Sequence, residues 1–174
     1  MTAGLSETTE PTGAGMHESR LARALRELLA RRRVAALATH QADGTPFVSM
    51  VPYAIEPTQG VLVLHVSGLA AHTANMERQP LTACLVNEAE VEGEPVHALA
   101  RVTLHTRAET LHAHHPMWTS CRQAYLQRFP EAEPMTALPD FRFVALHVLA
   151  ARHVAGFGAA RSVDAEELQR ALRY

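Results

Sequence analysis

The amino-acid sequence predicts an all-β core, an antiparallel barrel of about six strands with short helices packed on its outside. Short apolar or alternating segments, separated by turn residues, follow one another along most of the chain. Helical periodicity is limited to a few short stretches, which do not alternate regularly with the strands as a parallel α/β sheet requires. Dinucleotide-binding and P-loop folds are disfavoured, because no Gly-x-Gly-x-x-Gly motif follows a strand and no Walker-type loop is present.

Six segments carry the strand signal. A turn signal at 42–45 joins the first two into a hairpin. In the second strand, Ser49 and Val51 point to one face, whereas Met50 and Pro52 point to the other. Pro52 cannot donate a ladder hydrogen bond, which predicts a sheet edge or a bulge. The predicted strands are Val34–Thr39, Phe47–Ile55, Val61–Val66, Leu81–Val86, Leu99–Thr110 and Phe141–Leu149.

Four segments are predicted to be helical. The first begins at Arg20 with an amphipathic leucine stripe and ends near the arginines at 31–33. Two more cover 69–79 and 116–129, and a last helix is capped by Asp164 with Glu167. Residues 1–17 lack the apolar run of a signal peptide and are predicted to form a disordered tail, which leaves 18–174 as one domain.

Charge and cysteine content restrict the partners. The net charge of −2 and the pI of about 6.6 give no electrostatic reason to expect nucleic acid or an anionic membrane. No stretch approaches the roughly 18 apolar residues of a membrane span. Cys84 and Cys121 suggest neither a disulfide framework nor a zinc site, and reduced thiols predict a cytoplasmic protein.

The segment from Leu64 to Met76 is the strongest candidate for a binding site. It places Ser67, His72, Thr73 and Asn75 around the start of a predicted helix, where free backbone N–H groups and the helix dipole attract an anion such as phosphate. The alternative is that Ser67 only caps the helix and His72 is a solvated surface residue.

Two further features would suit a ligand. Arg101 lies in a strand of apolar and small residues, where it either fixes an anion or forms a structural salt bridge. Gly156, Phe157 and Gly158 follow a strand and would let the backbone approach a flat ligand, although an ordinary loop has the same composition.

Other residue types give no catalytic signal. His112, His114 and His115 are read as a solvated loop rather than a metal or haem site, because neither Cys nor carboxylate ligands lie at suitable spacing. Cys84 lies in an apolar strand, and neither cysteine has a recognisable base. No Gly-x-Ser-x-Gly motif supports a hydrolase. The sequence therefore assigns no catalytic residue, and no metal site is expected.

Several motifs together resemble the FMN-binding split-barrel superfamily of pyridoxamine 5'-phosphate oxidase, and most of all its haem-utilisation, HugZ-like branch. The resemblance covers about residues 20 to 170. It rests on Ala36-Leu-Ala-Thr39, Asp43-Gly44, Pro46-Phe-Val-Ser-Met-Val-Pro-Tyr53, Ser67-Gly-Leu-Ala-Ala-His-Thr-Ala-Asn75, Arg101-Val-Thr-Leu104 and Gly156-Phe-Gly158.

The resemblance implies a six-stranded split barrel, a homodimer, and FMN bound in clefts that both subunits share. By position, Ser49, Met50 and Val51 would line the flavin, and Ser67, His72 and Asn75 would lie near its phosphate. Arg101 would balance the charge of the phosphate. The loop of Gly156, Phe157 and Gly158 would approach the cofactor, either in the same chain or from the partner chain. A deazaflavin could replace FMN.

The sequence also departs from the vitamin-processing oxidases of the superfamily. His72 stands where those oxidases have a phosphate-binding lysine, and their arginine-rich substrate motif near the C-terminus is absent. Oxidation of pyridoxamine phosphate is therefore not expected. The sequence predicts an FMN-dependent oxidoreductase acting on an unknown small molecule. The alternatives are a noncatalytic flavin- or haem-binding protein and a haem-degrading enzyme of HugZ type.

Haem is expected to bind weakly or not at all, without conversion to a linear tetrapyrrole. Larger haem-utilisation relatives carry a C-terminal domain with a haem-ligating histidine, whereas this sequence ends at Tyr174. His72 and His153 are the residues whose substitution would test this expectation.

Overall fold

The computed structural model describes residues 18–173, and an antiparallel sheet of eight strands forms its centre. The tail predicted for residues 1–17 lies outside the described residues. The strands are β1 (Val34–His40), β2 (Pro46–Pro52), β3 (Ala54–Glu56), β4 (Val61–Ser67), β5 (Leu81–Asn87), β6 (Arg101–Leu111), β7 (Phe141–Val154) and β8 (Ala160–Val163). The helices are α1 (Arg20–Arg31), α2 (Ala71–Arg78), α3 (Trp118–Arg128) and α4 (Ala165–Leu172).

The strands pair in the order β2-β1-β5-β6-β7-β4-β3, and β8 pairs with β7. All of these pairs are antiparallel. The sheet curls, because β2 at one edge contacts β4 close to the other edge. This architecture confirms the predicted antiparallel barrel with peripheral helices.

The inner face of the sheet holds the main core. Leu37, Leu64, Leu104 and Leu146 come from four different strands and are completely buried. Helices α1 and α4 contribute the leucines of their apolar faces to the same cluster. Both begin with a capping side chain, since Ser19 accepts from Ala22 N at 3.1 Å and Asp164 accepts from Glu167 N at 2.8 Å. The cap that was predicted for the last helix is therefore present.

A second core lies on the opposite face of the sheet, beneath α3. Tyr125 and Cys121 of α3 pack against Phe143 of β7 and Val63 of β4. Strand β4 therefore contacts apolar side chains on both faces, which explains the continuous apolar run from Val61 to Leu64.

The largest departures from the predicted strands concern the second strand and the C-terminal part of the sheet. The segment predicted as one strand from Phe47 to Ile55 breaks at Tyr53, since β2 ends at Pro52 and the chain then continues into β3. β7 runs on to Val154, and β8 was not predicted because it has only four residues. The expectation that Pro52 marks an edge is confirmed, because β2 is an edge strand.

Among residues 18–173, no helix combines the length and apolar character needed to cross a membrane.

Candidate functional site

A contact between β2 and α2 joins two of the predicted site residues. Ser49 Oγ lies 3.1 Å from His72 Nδ1, and both side chains are half-buried. Within residues 18–173, Nε2 of His72 has no hydrogen-bond partner. The contact to Ser49 fixes the orientation of the imidazole ring and leaves Nε2 available to a ligand.

Burial lowers the pKa of His72. The imidazole is therefore neutral at pH 7 and carries no positive charge towards a phosphate. A neutral imidazole is the form that binds a metal ion or donates and accepts single hydrogen bonds. The electrostatics at His72 thus favour a metal-containing or neutral group over a phosphate.

Ser67 is occupied by interactions within the chain. Its hydroxyl donates to Asp140 Oδ2 at 2.8 Å and accepts from Leu69 N at 3.1 Å. Helix α2 begins after Ala70, so Ser67 stabilises the turn before the helix and does not act as its N-cap. The Asp140 carboxylate next to Ser67 would repel a phosphate bound there.

Asn75 holds α2 against the barrel. It is buried, and its side-chain amide donates to Thr39 Oγ1 of β1 at 3.0 Å. Its side-chain oxygen accepts from Arg78 at 3.4 Å. With these partners, Asn75 is a positioning residue for α2 and thereby for His72.

Arg101 and the Gly156–Gly158 loop lie together at another end of the sheet. Arg101 pairs with Val154, two residues before Gly156. Ser67 pairs with Phe141, close to the opposite end of the 11-residue strand β6. At about 3.3 Å per residue, roughly 40 Å of strand β7 lies between the partner of Arg101 and the partner of Ser67. One chain therefore does not bring all predicted site residues together.

The Arg101 end combines a cation with an exposed ring. Arg101 donates to Leu99 O at 3.0 Å, and it forms no ion pair with any carboxylate in the described part of the chain. The salt bridge considered from the sequence is absent there. The Phe157 side chain is 89% exposed between two glycines with positive φ, 149° at Gly156 and 74° at Gly158.

Met50 and Val51 point to opposite sides of β2. Val51 is buried in the main core, whereas Met50 is 67% exposed on the outer face. Across the strands, Met50 pairs with Ala36, and Ala36 pairs with Leu85, which is also exposed. The outer face of β2, β1 and β5 is thus an open apolar surface of small and medium side chains.

The remaining histidines differ sharply in accessibility. His153 is completely buried, and neither of its ring nitrogens has a hydrogen-bond partner. It cannot reach an external haem without unfolding of its surroundings. His112 and His114 are exposed, whereas His115 and His147 both contact Glu109, at 3.2 Å and 2.7 Å. Across residues 18–173, no group of His, Cys, Asp and Glu has the arrangement of a metal site.

Neither thiol is suited to nucleophilic catalysis. Burial raises the pKa of Cys84 to about 12 and that of Cys121 to about 12, and both residues are buried. Both cysteines are therefore protonated, inert members of the two cores.

Sequence reasoning missed the partners that hold the candidate residues in place. Asp140 lies 73 positions from Ser67, and Thr39 lies 36 positions from Asn75. Asp140 follows a proline in a loop, where an aspartate carries no distinctive signal. These partners become visible only when the strand pairing is known.

Comparisons with known proteins agree with this fold. A family model described as pyridoxamine 5'-phosphate oxidase matches residues 21–155. Haem oxygenase HutZ of Vibrio cholerae is 29% identical over 152 residues, which cover 87% of this chain and 85% of that protein.

Two solved structures are also similar. A haem binding protein from Mycobacterium smegmatis is 29% identical with a TM-score of 0.78; the match covers 89% of this chain but only 62% of that protein. The crystal structure of HutZ from Vibrio cholerae, described as a haem storage protein, is 26% identical with a TM-score of 0.68 and is covered to 92%.

Proposed function

Because the chain belongs to the pyridoxamine 5'-phosphate oxidase family, we propose that it binds a planar redox cofactor, and that this cofactor is haem. The observation that carries the proposal is His72, a half-buried neutral imidazole held by Ser49 with Nε2 free of partners within residues 18–173. The similar proteins named as haem oxygenase, haem binding protein and haem storage protein support the same cofactor.

The residues around His72 fit a large apolar group. Leu69, three positions earlier, is 89% exposed and can contact a large apolar ligand. His72 would hold the iron through Nε2, and Leu69 would contact the ring system. When bound, haem supplies an iron centre for electron transfer or oxygen chemistry. The protein orients the imidazole through Ser49 and anchors α2 through Asn75.

The expectation of weak haem binding loses its main premise. That expectation was based on the lack of a long C-terminal extension. The similar Vibrio cholerae protein is named a haem oxygenase, and the match covers 85% of its length. A relative can therefore be named a haem oxygenase without carrying a long additional domain.

A second copy of the chain would complete the site. The open apolar surface of β2, β1 and β5 supports a homodimer, because monomeric proteins rarely expose large continuous apolar patches. A two-fold dimer could bring the Arg101 and Phe157 end of one chain towards the His72 end of its partner. This arrangement would resolve the separation of roughly 40 Å along one strand.

The haem proposal is tested by titrating purified protein with ferric haem. Wild type is expected to give a saturable Soret shift, and His72→Ala is expected to lose at least tenfold in affinity and to change the spectrum of the iron. Added imidazole should restore the wild-type spectrum in the variant. His114→Ala, an exposed loop histidine, is the matched control. An unchanged spectrum and affinity in His72→Ala would exclude His72 as the ligand.

Turnover is measured in the same preparation. Haem, an electron donor and catalase are mixed with the protein, and the products are separated. Catalase removes peroxide, which bleaches free haem without an enzyme. A single tetrapyrrole isomer that disappears in His72→Ala would extend the proposal from binding to degradation.

The second candidate is an FMN-dependent oxidoreductase. It is favoured by Arg101, a half-buried cation that lacks a carboxylate partner in the described chain, beside two glycines. Arg101→Ala should weaken FMN more than riboflavin, because a charge-assisted hydrogen bond of about 1.5–3 kcal/mol is lost only when the phosphate is present. Flavin fluorescence titrations measure both affinities. Equal losses would show that Arg101 supports the fold rather than the phosphate.

A further inference from the structure

A cavity of about 400 Å³ opens beside the second core, between the N-terminal end of α3 and strands β4, β6 and β7. Aromatic side chains form much of its wall, namely Trp118, Phe141 and Phe143. The side chain of His65 also lines it. None of the residues predicted to bind a cofactor contributes to this cavity.

His65 is a buried polar group among aromatic rings. Only 8% of it is exposed, and its ring centroid lies 4.6 Å from that of Phe143, 5.0 Å from Phe141 and 5.6 Å from Tyr125. Within residues 18–173 its nitrogens have no hydrogen-bond partner. Neither ring nitrogen of His65 is sealed from solvent, so both are available through the cavity to a ligand that carries a complementary polar group.

A single water molecule does not account for the space. A water occupies about 30 Å³, whereas ligand pockets begin at about 300 Å³. The cavity of about 400 Å³ falls within the range of small-molecule sites. Its volume suits a molecule of one or two rings.

The cavity favours an uncharged molecule. Burial lowers the pKa of His65, so its imidazole is neutral at pH 7 and offers one N–H donor and one acceptor nitrogen. The Arg142 guanidinium does not supply a free cation, because it pairs with Glu77 at 2.6 Å. A hydroxyl or a ring N–H on the ligand would complement His65 without introducing a buried charge.

We propose that this cavity is a second small-molecule site, which binds an uncharged planar aromatic molecule with a hydroxyl or a ring N–H directed at His65. The rings of Phe141, Phe143 and Trp118 supply the apolar walls, and His65 supplies the polar contact that selects the ligand. This site is independent of the haem proposal, because it involves neither His72 nor the open apolar surface.

The single tryptophan of the chain provides a direct readout. Trp118 lines the cavity, so binding there should change its fluorescence. Cofactor-free protein is titrated with 4-methylphenol, with excitation at a wavelength that favours tryptophan. Toluene has the same ring and methyl group but no hydroxyl, and 4-methylbenzoate adds a charge. We expect 4-methylphenol to bind roughly two- to tenfold more tightly than toluene, as one net hydrogen bond predicts, and 4-methylbenzoate to bind least.

Two variants locate the binding. His65→Leu should reduce the preference for 4-methylphenol over toluene to about onefold, whereas His65→Gln, which keeps a donor and an acceptor, should retain part of it. Ala113→Phe places a ring at an exposed position of the cavity wall and should weaken all three probes, and Ala159→Phe, at an exposed position in the β7–β8 loop, is its control.

The comparison of probes on wild type keeps the proposal testable even if a His65 variant does not fold. Absence of a saturable fluorescence change with 4-methylphenol would overturn it. Equal affinities for 4-methylphenol and toluene would overturn the role of His65. These titrations use cofactor-free protein, so their outcome does not depend on whether the protein also binds haem, and the two proposals stand or fall separately.

Discussion

The outer face of the sheet has two halves that differ in how they are covered. Over β4 and β7, helix α3 buries Phe143 and Ala145, so that Phe143 is only 2% exposed. Over β2, β1 and β5, Val48 and Met50 remain 62% and 67% exposed. The same kind of apolar strand surface is thus covered by the chain itself in one half and left open in the other. We expect a second copy of the chain to pack on the open half.

The largest expected effect is a loss of stability when the packing beneath α3 is disrupted. Phe143→Ala removes a ring that contacts His65, Trp118 and Tyr125. Truncation of a buried phenylalanine costs about 3–5 kcal/mol, so the free energy of unfolding should fall by about that amount. Urea denaturation followed by circular dichroism measures it. A loss below about 1 kcal/mol would mean that α3 contributes little to the fold.

Charge on the open half should affect association rather than folding. Met50→Glu places a carboxylate at an exposed position, so the midpoint of thermal unfolding should change little once the loss of the dimer is taken into account. In a two-fold dimer the two carboxylates would face apolar surface, and we expect the dimer dissociation constant to rise at least roughly a hundredfold. Light scattering over a dilution series gives this constant, and Val91→Glu, at an exposed loop position, is the control. A Met50→Glu protein that stays dimeric would place the interface elsewhere.

Lowering the pH should reduce the free energy of unfolding before the carboxylates become protonated, because two histidines are buried. Burial lowers the pKa of His65 and of His153 below the usual 6.5, and Arg161 lowers that of His153 further, while Glu167 opposes the shift. Between pH 6.5 and the lowered values, the unfolded chain binds more protons than the folded one. Stability is therefore highest above pH 6.5 and falls as the pH decreases, by at most about 1.4 kcal/mol per pH unit for each histidine.

His153→Leu tests this pH dependence. Urea denaturation at several values between pH 5 and pH 7.5 should show a shallower decline in the variant than in wild type. The exposed control His114→Ala should follow the wild-type curve. Parallel curves for wild type and His153→Leu would show that His153 does not contribute to the decline.

The smallest expected effect concerns the contact between β2 and α2. Ser49→Ala removes one partly buried hydrogen bond to His72 and should reduce stability by about 0.5–1.5 kcal/mol. Because the His72 ring then loses its fixed orientation, haem affinity should fall a few-fold without loss of the dimer. Parallel urea and haem titrations separate the two effects. A haem affinity equal to that of wild type would show that Ser49 does not position His72.

The strands could be predicted from local pattern, whereas the arrangement of the site could not. The alternation in β2 correctly separates Ser49 and Val51 from Met50, because the period of two follows directly from strand geometry. The family resemblance, rather than this alternation, assigned Ser67 and Arg101 to one cofactor site shared by two chains. Their separation follows from the register of β6 and β7, and register is a property of pairing between distant segments.

The burial of individual polar residues could not be predicted from the sequence either. His65 and His153 lie in strands next to apolar residues, and nothing local distinguishes them from the exposed His105. Their surroundings come from α3 and α4, which are distant in sequence. The cavity beside His65 likewise depends on the position of α3 over the sheet and has no sequence signature.

The prolines at both ends of β2 limit how a strand from another copy of the chain can pair with this edge. Pro46 begins this edge strand and Pro52 ends it. Neither residue has an N–H group, so the edge offers interrupted hydrogen-bonding positions to an incoming strand. The other two edge strands are β3, with only three residues, and β8, with only four. All three edges therefore discourage strand-by-strand growth into fibrils, and they direct any self-association towards a closed pair through the faces of the sheet.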